Sequence, residues 1–177
     1  MLFFSPRWVL VSLAIGWMLN SCAESKISQC NRLIGEINRG QGVYRQSAEQ
    51  MTKVGGFNPR DQQNLKEQIT KVKQSLEKFV VDLRQASRDV RVVVVVDPQL
   101  QALRDRYSDN LSSFAQGLEE ASKTMETLAN INFVDTNALR LVQDANQRLS
   151  NYFQQVGTAG AETNRVITEI NTYCGVR

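Results

Sequence analysis

Apolar side chains recur at alternating steps of three and four residues along nearly the whole chain, and the three prolines, at positions 6, 59 and 98, fall outside these repeats. A period near 3.5, sustained over many turns, fits helices packed along a common seam and does not fit strands. Four such runs are present. The first steps through Ile27, Cys30, Ile34, Ile37, Gln41, Tyr44, Ala48 and Met51, and the second through Leu65, Ile69, Val72, Leu76, Phe79, Leu83, Ala86, Val90 and Val93. The third holds Leu100, Leu103, Tyr107, Leu111, Phe114, Leu118, Ala121, Met125 and Leu128. The fourth holds Val142, Ala145, Leu149, Tyr152, Val156, Ala159, Thr163, Val166, Ile170 and Tyr173.

The residues between the runs are helix punctuation. Val54-Gly55-Gly56 ends the first, while Asn58-Pro59 and Asp97-Pro98 each offer a cap and a first-turn proline to the helix that follows. Asp135 reads as the cap of the fourth helix, with Val134 and Leu139 spaced as a hydrophobic staple, and Gly175 follows the last core turn. Connections this short return each helix antiparallel to the one before. The expected fold is therefore all-α, an antiparallel up-down-up-down four-helix bundle with coiled-coil-like heptad packing. The alternative is a three-helix core with the first helix, weakened by Gly35, Gly40 and Gly42, lying loosely beside it.

In the bundle, the start of the first helix and the end of the last share one end. Cys30 and Cys174 are expected to meet there as a disulfide, against the reading of two unrelated buried thiols. Gln41 lies eleven residues after Cys30, and Thr163 eleven before Cys174. The two are predicted to face each other, or to share a water, as a buried polar layer. Gly40, Gly42, Gly157 and Gly160 cluster near that level, where they allow close helix approach or leave a gap.

Ahead of the bundle, one positive charge at Arg7 precedes an apolar run from Trp8 to Leu19 and then small and polar residues, the layout of a signal peptide. The run is too short for a membrane-spanning helix, which needs about 20 residues. Leu19-Asn20-Ser21-Cys22 resembles the bacterial lipobox, which implies cleavage after residue 21 and lipidation of Cys22. Ordinary signal cleavage after Ala23 is the rival. The first reading divides the chain into a lipoprotein-type signal peptide, residues 1–21, and a bundle domain, residues 22–177.

The chain contains no histidine, which removes Ser-His-Asp and Cys-His nucleophiles and histidine-ligated metals. No acidic residue occupies a seam position, so no buried carboxylate with a raised pKa is expected. The sequence predicts no enzyme, no cofactor and no metal site. With a net charge of +3 spread along the helices, it predicts no nucleic-acid partner either. Arg84, Arg88 and Arg91 form a stripe best read as a solvated, ion-paired face. Val92 to Val96, read as the β-branched end of the second helix, is expected to bury into the end of the bundle or to face a membrane or partner. Phe57, Ile131, Phe133 and Val134 lie in the two loops of the opposite end, as a lid over the core or as a partner contact.

Cys30-Asn31-Arg32-Leu33-Ile34, then Ile37-Asn38-Arg39-Gly40-Gln41, with Asn171-Thr172-Tyr173-Cys174 at the other end, resemble a set of uncharacterised cyanobacterial lipoproteins. The resemblance implies an export signal, a helical body and two end cysteines. The expected function is that of a membrane-anchored extracytoplasmic bundle, held on the periplasmic or lumenal face of a bacterium by its lipid and acting through a protein partner as an accessory or scaffold subunit. The alternative is a binder of a small apolar ligand in a mid-bundle cavity.

Overall fold

The structure is a computed structural model that describes residues 24–54, 62–131 and 136–176. It consists of four helices: α1 (Lys26–Val54), α2 (Gln62–Arg91), α3 (Pro98–Ala129) and α4 (Ala138–Cys174). They form an antiparallel four-helix bundle. Its sides are unequal: α3 packs extensively on α2 and α4, α1 packs on α2, and α1 and α4 meet only sparingly. The bundle therefore keeps the expected order while moving toward the looser alternative. The glycines of α1 offer little surface for α4 to pack against.

The core follows the seams of α2 and α3, from Leu76, Phe79 and Leu83 to Leu103, Tyr107, Leu111, Phe114 and Leu118. Phe79 and Phe114 meet edge to face, their centroids 5.9 Å apart. On α1 the buried apolar residues among those described are Cys30, Leu33 and Ile37. Ile27, placed in the seam by its spacing, is exposed instead, and Leu33 takes the position expected of Ile34. An apolar pair at 33 and 34 leaves the phase of a short seam open by one residue, and here it settles on Leu33.

Small residues let the helices approach closely. Ser87 Oγ donates to the Ser108 carbonyl at 2.9 Å, and Ser108 Oγ donates back to the Ser87 carbonyl at 3.0 Å. This reciprocal pair ties α2 to α3 with both buried serine hydroxyls satisfied. Gly117 does the same work between α3 and α4, where an added Cβ would stand 2.9 Å from Val156 Cγ2.

Two boundaries differ from expectation. The second helix ends at Arg91, Val92 turns with its amide on the Arg88 carbonyl at 3.1 Å, and residues 93–96 continue outside the helix; burial alternates along the segment, with Val93 and Val95 8% and 3% exposed and Val92, Val94 and Val96 74%, 66% and 61%. Five consecutive β-branched residues favour a pleated backbone over a helix, and period-two alternation follows from it. The α4 helix begins at Ala138 with Asn137 at the cap position and no side-chain cap bond. The cap position thus falls on Asn137, Leu139 is exposed, and Val134 and Asp135 lie outside the described residues. Asp97 caps α3 as expected, its Oδ1 accepting from the amides of Gln99 at 2.9 Å and Leu100 at 3.0 Å. Gly175 closes α4 in the left-handed conformation at φ 70°, which L side chains adopt only with strain.

Candidate functional site

Two regions carry chemistry beyond core packing. The first is the end where α1 starts and α4 stops. Cys30 and Cys174 are paired there, their Cα atoms 5.7 Å apart. Beside them the extended valine segment is held by side chains from both flanking helices. From α3, Arg104 donates to the Val93 carbonyl at 2.9 Å and Gln101 to that of Val95 at 2.8 Å. From α1, Arg32 donates to the Val94 carbonyl at 2.8 Å and also pairs with Glu24.

Gln29 completes the strap. Its Oε1 accepts from the amides of Val96 at 2.8 Å and Asp97 at 3.0 Å, and its Nε2 donates to the Glu24 carbonyl at 3.0 Å. The side chain is sealed in, with the residue 3% exposed. Without it, an extended connector between two helices would leave amides unpaired. From α4, the Tyr173 hydroxyl donates to Asp97 Oδ2 at 2.8 Å, and Lys26 Nζ sits 3.5 Å from the Tyr173 ring centroid. The Leu100 amide and then the Tyr173 hydroxyl hold the Asp97 carboxyl below its ordinary range. Asp97 in turn raises the Tyr173 phenol. All four helices are thus tied together at this end, while Ile27, Val92, Val94 and Val96 stay exposed on its surface.

The second region is a cleft at mid-height with a volume of about 450 Å³, partly open and lined by residues of all four helices. Phe79, Leu83, Tyr107, Leu111, Phe114 and Ile167 supply its apolar wall, and Gln41, Asp82, Thr163 and Asn164 contribute polar groups. It lies where α1 and α4 part. Gln41 and Thr163 therefore do share a level, as lining residues of one cavity. Thr163 Oγ1 donates to the Ala159 carbonyl at 2.8 Å, so its proton is not offered to Gln41. Of the neighbouring glycines, Gly40 lets α1 approach α2, with an added Cβ 3.3 Å from Ala86 Cβ, whereas an added Cβ at Gly160 would meet nothing within 4 Å.

Tyr107 is the chemically distinctive member of the lining. It is 2% exposed, burial pushes its phenol up to about 12, and among the described residues it takes no hydrogen bond. The sequence presented it as an ordinary seam residue; the glycines near the Gln41 and Thr163 level left a gap there open as one of two outcomes, and nothing in the spacing pointed to Tyr107 as its neighbour. Gln29 was missed for a related reason: one polar residue at the start of a helix looks solvated until the neighbouring connector is known to be extended.

Of the other expected sites, Cys22, Phe57, Phe133 and Val134 lie outside the described residues. Ile131 is half-buried, its amide donating to the Leu128 carbonyl at 3.3 Å. The arginine stripe is engaged with its neighbours: Arg84 pairs with Glu119, Arg91 with Asp109, and Arg88 donates to Gln85 at 2.6 Å. Among the described residues, no group of three or more acidic or cysteine side chains could hold a metal ion, and no helix is long and apolar enough to cross a membrane. Comparison with protein-family models, with curated proteins and with solved structures finds no match to this chain.

Proposed function

We propose that this chain is an exported, lipid-anchored four-helix protein that works at a membrane surface by contact with another protein, as an accessory or scaffold subunit without catalysis of its own. One observation carries the reading: α1 starts at the end of the bundle that the disulfide and the valine strap brace. The first helix begins at Lys26, four residues after Cys22 in the sequence, beside the disulfide and the valine strap. A lipid on Cys22 would hold that braced end against the bilayer, with Ile27, Val92, Val94 and Val96 on the surface nearest to it. The contact between α1 and α4 is sparse, and the first half of α4 leaves Leu139, Leu141 and Phe153 exposed. Apolar side chains on such a surface suit a protein contact.

Two labelling experiments test the halves of this reading. Palmitate should label the wild type and not Cys22→Ser, and equal labelling of both refutes the anchor. A photo-reactive residue at Val94 should yield lipid adducts in living cells, and one at Phe153 a discrete protein adduct. An uncrosslinked Phe153 variant at native abundance refutes the contact role.

A further inference from the structure

We infer that the mid-bundle cleft is a binding site for a small, neutral, mainly apolar molecule carrying one hydrogen-bond acceptor of the carbonyl class, and that the Tyr107 hydroxyl is its donor. The inference stands on the cleft and on Tyr107, independently of the anchor and of any protein partner.

The volume, about 450 Å³, is within the range of small-molecule sites and far beyond what a lone water needs. The apolar part of the lining is aromatic and aliphatic, set by the edge-to-face pair of Phe79 and Phe114 together with Leu83 and Leu111. That surface fixes the body of the ligand as apolar. The lining comes from all four helices, on the side of the bundle where α1 and α4 meet only sparingly, so a ligand there would lie against core side chains.

Tyr107 fixes the polar end. Buried phenols almost always find a partner, and the hydroxyl of this one has none among the described residues. The sealed, unpaired polar atoms among the described residues are Gln68 Oε1 and Asn110 Nδ2, and the Tyr107 oxygen is not one of them. The hydroxyl therefore reaches open space, and the cleft is the space that Tyr107 lines. A phenol kept protonated by its apolar surroundings is a donor, and a carbonyl oxygen is the acceptor that satisfies it without bringing a charge into the cavity. The charged groups at the cleft are Arg45, Glu49 and Asp82, of both signs, with Asp82 already 2.8 Å from Lys78 Nζ. No single-sign field selects an ionic ligand.

Benzophenone and diphenylmethane test this, since they share a shape and differ in one carbonyl. Binding is measured with the chain exported as its Cys22→Ser variant, so that no attached lipid competes. Benzophenone should bind about three- to tenfold more tightly than diphenylmethane, the factor that one net hydrogen bond supplies. In Tyr107→Phe the two affinities should become equal, and the downshift of the bound carbonyl stretching band should vanish. Gly160→Leu, at a position with open space around its Cβ, should weaken both probes by partly filling the cleft. Absence of binding, or binding indifferent to Gly160→Leu, overturns the site. Equal affinities in the unsubstituted cleft, or a preference that survives in Tyr107→Phe, overturns the role of Tyr107.

Discussion

Replacing Gln29 by methionine removes every polar atom of the strap's central side chain while keeping its length. Two amides, of Val96 and Asp97, lose their acceptor, and the Glu24 carbonyl loses a donor. A satisfied hydrogen bond contributes about 1 kcal/mol net, and an amide left unpaired in the interior costs about 1 to 3 kcal/mol. Val96 is itself exposed, so water can reach part of the freed backbone and the cost falls toward the lower figure for each group. The expected destabilisation is about 2 to 3 kcal/mol, read as a lower urea midpoint at unchanged slope in the oxidised protein. Amide exchange at residues 96 and 97 should accelerate by a similar factor, because these amides then open without unfolding the bundle. Gln29→Glu retains the acceptor and should lose less. A change below about 0.5 kcal/mol, with exchange at Val96 and Asp97 unaltered, would refute the strap as the element that holds this end together.

Reduction of the Cys30–Cys174 bridge, which spans a sequence separation of 144, should cost up to about 5 kcal/mol in the chain-entropy treatment and lower Tm by 10 °C or more; free thiols in the unreduced protein would end the claim. Arg165 first, and Arg106 after it, hold Glu162 down at about 2, so its contribution to stability is complete above the ordinary carboxylate range and is lost as the pH falls from about 4.5 toward 2. Glu162→Gln should flatten that part of the acid-unfolding curve, most visibly at low salt, and an unaltered curve would count against the network. Tyr107 has the opposite sign: its folded phenol is raised, so the unfolded chain ionises first and stability falls from pH 10 toward 12. The loss should be about 1 kcal/mol between pH 9 and 11 and absent in Tyr107→Phe. Equal alkaline slopes for the two proteins would contradict the burial of that hydroxyl.

The helices and their order were legible because spacing, glycine and proline positions act locally and all point the same way. The meeting of Cys30 with Cys174 followed from counting turns of chain. What escaped depends on neighbours distant in sequence. Val93 satisfied the helical step from Val90 as well as it satisfied an extended alternation, and only the side chains of Arg32, Gln101 and Arg104 arriving from other helices decide for the second. The cleft is the clearer case. Phe79, Tyr107 and Phe114 sit on regular seams that normally close upon themselves, and whether they do depends on how near α4 comes to α1. The glycines near Gln41 and Thr163 marked the level, and left open whether the helices close there or part.

The pairing of the first helix with the last also orders events in time. A chain that emerges amino-terminus first, from a ribosome or through a membrane channel, presents Cys30 early and Cys174 only when almost everything else is out. Until then Cys30 remains a lone thiol, open to oxidants and to the wrong partner. The α2–α3 hairpin, locked by Ser87 and Ser108, can assemble during that wait because its contacts are near in sequence. The bond therefore marks completion: a polypeptide cut short anywhere before Cys174 keeps its thiol unpaired, and surveillance for exposed thiols would detect it.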